Sequence, residues 1–161
     1  MIVRVRQVAT ALWSALMLLA GSAALAQAAP ADDGVVKVRS AYSMDETIAR
    51  IRKDIADKGI MFFDQIDQAK LAGGAGIKIR PSTLLVFGNP PLGTQFLSSN
   101  PYSGLDWPVR LLVLQDEAGA VWTVYTDFAW IARRHRIQDR DQQFAMASSV
   151  VQSITSTVRA Q

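Results

Sequence analysis

The chain has 161 residues, half of them apolar, which is enough for one domain with a single core. Seventeen basic residues against fourteen acidic ones give a formal net charge of +3, and there is no cysteine. The missing thiols exclude disulfides, a thiolate nucleophile, Cys-ligated zinc, iron–sulfur clusters and Cys-attached haem.

The first residues read as an export signal. Arg4 and Arg6 make a positive start, Val8 to Ala20 carries no charge, and residues 21–29 are almost all small. Ala26-Gln27-Ala28 is an A-x-A site with cleavage after Ala28, and Ala24-Leu25-Ala26 is a second choice. Together these parts make residues 1–28 a secretory signal peptide. The competing reading is an uncleaved anchor, since Val8 to Ala26 is an uncharged run just long enough for a bilayer core of about 30 Å. Its Ala, Ser and Gly content and the A-x-A end favour cleavage. The expectation is an exported protein, periplasmic or secreted, meeting the membrane only through this segment if it is uncleaved. Removing residues 1–28 takes away two arginines and no acid, leaving 15 basic against 14 acidic residues, a net of +1. A near-neutral exported chain argues against a nucleic-acid partner.

Residues 29–34 form a polar lead-in, and residues 35–161 read as one domain. Val35 to Arg39 alternates weakly, as a strand. Ser43-Met44-Asp45-Glu46 is a capping box, in which Ser43 accepts from the Glu46 amide while Glu46 reaches back. Met44, Ile48, Ile51 and Ile55 then recur on one helical face. Glu46–Arg50 and Asp54–Lys58 are i,i+4 pairs on the other face, and Gly59 ends the helix. Ile60 to Ile66 is the next strand, although IMFF does not alternate cleanly. Leu71 to Gly76 reads as a flexible Gly-rich connection; GGAG without a following Lys-Ser or Lys-Thr is no phosphate loop.

Thr83 to Phe87 is a continuous apolar run, typical of a well-buried strand. Gly88-Asn89-Pro90-Pro91 turns the chain into a short helix around Gly93 to Leu97, stopped by Asn100-Pro101. Val109 to Gln115 and Val121 to Tyr125 make a hairpin with Gly119 in the turn. Asp127 caps a short helix carrying Trp130 and Ile131. After Asp139-Arg140-Asp141 a long helix presents Phe144, Ala147, Val151, Ile154 and Val158 at spacings of three and four. Two amphipathic helices need an apolar sheet to lie on. The expected fold is α+β: a two-layer sandwich with an antiparallel sheet of about five strands and the helices on one face.

Several motifs in this order resemble a known family. Phe87-Gly88-Asn89-Pro90, Gly93-Thr94, Gly104-Leu105-Asp106 with Pro108, Val121-Trp122, Tyr125-x-Asp127 and Ala129-Trp130-Ile131-Ala132-x-x-His135 are similar to the domain of unknown function 302. The likeness runs from about Tyr42 to His135. It implies a β-α-β4-α fold like the TATA-box-binding-protein group, and it implies no reaction. Many members read Ile-Asp-His where this chain has Ile66-Asp67-Gln68, and Arg-His-Gly where it has Arg134-His135-Arg136. If two histidines shared a metal or haem in that family, this chain has kept one of them.

His135 is the only histidine. It is a candidate base, acid or ligand, and equally a residue suited to a helix C-terminus. Asn89, Asp106, Tyr125, Asp127 and His135 form the candidate functional cleft. Asp127 is simply explained as an N-cap and Asp106 as a turn residue. No nucleophile elbow and no zinc or calcium spacing is present. The sequence therefore names no cofactor. Its first reading is a non-catalytic module for a small apolar or anionic ligand or a protein partner, with a homodimer among the expected partners. Its second is an enzyme or a metal or haem site using His135 with Asp127, Asp106 and Asn89.

Overall fold

The computed structural model describes residues 33–160. The signal segment, the Ala28 cleavage site and most of the lead-in lie outside these residues. The elements run β1 (Val35–Arg39), α1 (Met44–Asp57), β2 (Met61–Asp67), α2 (Gln68–Gly74), β3 (Ser82–Gly88) and α3 (Pro90–Ser99). A 3-10 turn (Pro101–Leu105), β4 (Val109–Gln115), β5 (Val121–Thr126), α4 (Phe128–Arg134) and α5 (Asp141–Ser156) complete them. The strands form one antiparallel sheet in the order β1-β5-β4-β3-β2. This is the α+β architecture expected from the pattern of apolar residues.

The core lies between one face of the sheet and the helices. Leu85, Phe87, Leu111, Val113, Val121 and Tyr125 point into it from the strands, and Ile51 and Ile55 of α1 meet Phe144, Val151 and Ile154 of α5 there. Phe96 of α3 stacks on Phe144 with ring centroids 4.2 Å apart. Each amphipathic stripe thus buries against the same sheet face, which is what a period of 3.6 on one layer and 2 on the other demands.

Several local expectations are corrected. The Gly-rich connection begins as α2, capped by Asp67, whose carboxylate accepts from the Lys70 amide at 2.8 Å. Ser43 accepts from the Glu46 amide, but Glu46 does not reach back: its carboxylate is held by Arg50 at 2.7 Å instead. The poor alternation of IMFF has a cause in a bulge between Phe62 and Asp64, which gives Phe63 no partner on β3. Val158 lies past the end of α5, in a segment whose backbone bonds to Ala41 and, through Ala160, to Arg39.

Three helices end alike. Ile60 bonds back to Ile55 and Gly59 to Ala56; Ile77 to Ala72 and Gly76 to Gly73; Ile137 to Ala132 and Arg136 to Arg133. This is the Schellman pattern, which needs a left-handed residue just past the cap. Gly59 and Gly76 fill that place with φ of 64° and 74°, whereas Arg136 fills it with φ of 54°.

Candidate functional site

The sequence-selected residues separate into distinct places. Asp106 and His135 come together. The 3-10 turn delivers Asp106 just before β4, and α4 ends on His135 as its C-cap. His135 Nε2 lies 2.6 Å from Asp106 Oδ2, and both side chains are almost fully buried. Arg134 donates to both carboxylate oxygens at 3.2–3.3 Å, and Arg110 donates to one at 3.2 Å and to the Leu105 carbonyl at 2.7 Å. Asn100 adds a bond from its amide to the His135 carbonyl at 2.8 Å. One buried carboxylate is therefore held by three basic side chains drawn from β4 and α4, which ties the α3–β4 connection to the end of α4. Buried charge is tolerated only when paired and hydrogen-bonded in this way.

The other candidates are elsewhere. Asp127 is the N-cap of α4, accepting from the Trp130 amide at 2.7 Å. Tyr125 points into the core, where burial, and secondarily the charge of Asp127, push its phenol above its ordinary value of 10.0. Gln68, which stands where the family often has histidine, accepts from the Ser82 hydroxyl at 2.7 Å. The register pairs Asp67 with Thr83 and Val109 with Phe87. Gln68 and Asp106 thus lie at opposite ends of β3, separated by about 13 Å of strand. A histidine at position 68 would not share a metal with His135 of the same chain. Among the described residues no group of three or more His, Asp or Glu side chains is placed to hold a metal ion.

Asn89 lies at a different feature, an apolar cleft of about 350 Å³ between the end of β3, α3 and α5. Phe87, Leu92, Phe96, Val109, Val150 and Val151 supply much of its wall. Small residues leave the space open. Gly88, Gly93 and Ala147 stand at the layer junction, and the indole of Trp107 lies so close to Gly93 that a Cβ there would sit 1.8 Å from its nitrogen. Phe63 of the bulge meets the same indole edge-on at 6.2 Å.

The cleft's polar side chains are few. Asn89 sits at the N-cap position of α3 yet makes no side-chain capping bond, and no partner is found for its amide. The half-buried Trp107 indole N–H has no partner within the domain either. Lys58 stands at the wall with its ammonium on Asp54 at 2.7 Å. Met146, largely exposed, completes the rim. Lys58, Met146 and Val150 carry no local sequence signal of a site. Each reads as an ordinary helix residue until the layers are assembled.

The family model of the domain of unknown function DUF302 matches residues 36–158. An uncharacterized conserved DUF302 protein from Bacillus stearothermophilus has the same fold, with a TM-score of 0.72 at 18% identity over 79% of this chain and 99% of that one. Two curated relatives, each 38% identical over 106 residues, are named fluoride-specific ion channel FluC 1, from Brucella suis and Brucella abortus. The match covers 66% of this chain but only 42% and 39% of theirs, so the chain spans about two-fifths of the length of these relatives.

Proposed function

We propose that this chain, which belongs to the DUF302 family, is an exported, non-catalytic module that binds a small amphiphilic molecule in the cleft beside Asn89 and Trp107. One observation carries the reading: an apolar cavity bordered by the exposed Asn89 amide and the half-buried Trp107 indole N–H, neither of them bonded within the domain. Its volume falls near the lower end of the ~300–1,000 Å³ typical of small-molecule sites, which pair apolar walls with a few convergent polar groups. Trp107 offers an N–H and Asn89 both an N–H and a carbonyl, while the Lys58 ammonium beside them is paired with Asp54. The ligand they fit has an apolar body and a carbonyl or carboxylate end. Export rests on the leader read in the sequence.

The His135–Asp106 pair argues for structure over catalysis. A base works on a reacting atom within hydrogen-bond reach. Here the imidazole nitrogen that meets Asp106 is buried with it, and Asp106 borders only a void of about 10 Å³.

Native mass spectrometry of the purified chain, beside a denatured control, tests the proposal. The expected result is an extra mass of a few hundred daltons that vanishes on denaturation and is missing in Val150→Trp, a substitution that fills the cleft. The intact mass also reads whether the purified chain begins before or after Ala28. An apo wild-type protein whose melting temperature no fatty acid or other amphiphile raises would overturn the reading.

The relatives favour a second reading, that the domain serves a membrane transport protein. A pore requires elements that span the bilayer, and no described helix of this chain is long and apolar enough to cross a membrane. On this reading the pore of the Brucella relatives belongs to their unmatched part, and the shared stretch is an attached domain. Fluoride tolerance of a strain lacking this chain tests it, and unchanged growth would remove it.

A further inference from the structure

We propose that the face of the sheet that no described helix covers is a self-association surface whose occupant is a second copy of this chain. An antiparallel sheet with one wet face normally alternates apolar-in and polar-out. Here the central strands are apolar on both sides except at exposed Arg110 of β4, which is tied to Asp106. Leu84, Val86, Leu112, Leu114, Trp122 and Val124 alternate with the core residues and are half-buried, yet none of them belongs to the core or packs against it. The registers gather them into one patch. Leu84, Leu112 and Val124 lie side by side across three strands, Leu114 and Trp122 occupy the next row, and Val86 the row on the other side. The Trp122 indole is held by the Asp116 carboxylate at 2.7 Å.

Size and charge favour a second copy. Five strands about 4.8 Å apart and about six residues long give a face of roughly 24 by 20 Å. That footprint of roughly 480 Å², enlarged by side-chain relief, comes near the ~600 Å² per partner at the lower end of standard-size interfaces. The rims are oppositely charged: exposed Lys37 is in register with Val124 on the β1 edge, and exposed Asp64 with Val86 on the β2 edge. A two-fold axis parallel to the strands lays β4 on β4 and β1 on β2. It sets the Lys37 rim of each copy over the Asp64 rim of the other, a self-complementarity that suits a closed dimer. The Arg110 side chains that meet near the axis are each held by their own Asp106.

Sedimentation velocity on the purified chain tests this. The expected result is twice the chain mass at micromolar concentration, and a monomer for Leu112→Arg with an unchanged circular dichroism spectrum. Lys37→Asp should weaken association about fivefold, and adding Asp64→Lys to it should restore the wild-type value. The charge pair keeps the test decisive if Leu112→Arg fails to fold. A wild-type monomer at about 100 µM, well above the concentrations at which a standard-size interface associates, would overturn the proposal, whether the patch is then covered by residues 1–32 or by another protein. So would a dimer that Leu112→Arg leaves intact, or a charge swap that does not restore association.

Discussion

The Asp106 cluster and the Asn89 cleft lie close together in the chain and behave in opposite ways. At Asp106 the carboxylate is surrounded by donors from Arg110, Arg134 and His135, and nothing is left over for a ligand. At Asn89 the wall is apolar and the donors have no acceptor. A polar group that is buried and fully paired stabilises a fold. The Asn89 amide is exposed and the Trp107 indole half-buried, so both stay free to bond a molecule that displaces water from the cleft. By that criterion the one histidine belongs to the structure of this domain, and an asparagine and a tryptophan border the cleft proposed as its site.

The largest expected effect is Asp106→Ala, which leaves a buried imidazole and two arginines without their anion. The cost should be about 2–3 kcal/mol, below the ~3–5 of a fully buried pair because both arginines are about half exposed. Urea unfolding measures it, and bound ligand should be retained by the folded fraction. Gly93→Ala drives a methyl into the Trp107 indole and should cost about 1–3 kcal/mol. It should also shift tryptophan emission and empty the cleft. If Asp106→Ala released the ligand while Gly93→Ala kept it, the contrast between the two regions would be reversed.

Arg136→Gly should stabilise the protein by about 1 kcal/mol, because a side chain held in the left-handed region carries strain that glycine avoids. A thermal melt reads it, and ligand binding should not change. The smallest effect lies away from both regions and depends on pH. The Trp122 indole, and after it the Ala120 amide, hold the Asp116 carboxyl below its ordinary 3.8. Its charged form therefore adds stability above that ordinary value, and the gain is lost as pH falls through the lower folded value. Asp116→Asn should be less stable than wild type at neutral pH, and the two should converge in strong acid, as paired urea titrations would reveal. An equal gap under both conditions would mean that the substituted amide packs differently and that the carboxylate charge is not the cause.

Much of the fold was legible because its cues are local. The stripe Ile48, Ile51, Ile55 behind Ser43, the Gly119 hairpin and the Asp127 cap each read correctly from a few neighbouring residues. The failures also have physical causes. Gly73 and Gly74 suggested a loop, but an Asp67 cap and the pairing of the flanking strands carried the helix through them. Val158 kept the helical spacing of the stripe before it, yet the C-terminal backbone left the helix to bond beside β1.

The candidate site was legible only in its residues. Sequence alone determined that Asn89, Asp106, Tyr125, Asp127 and His135 were worth following, that no thiol chemistry exists, and that Thr83 to Phe87 is a continuous apolar run. Tertiary structure decided which of these residues meet. Asp106 and His135, 29 positions apart, are joined because β4 and the end of α4 converge on one buried point. Asn89 is left beside a cavity because Gly88, Gly93 and Ala147, small residues from three elements, fall at the same junction. Spacing along a chain reports what shares a helix face or a strand face. Which charges neutralise one another, and where packing leaves a gap, depends on contacts that exist only once the layers close.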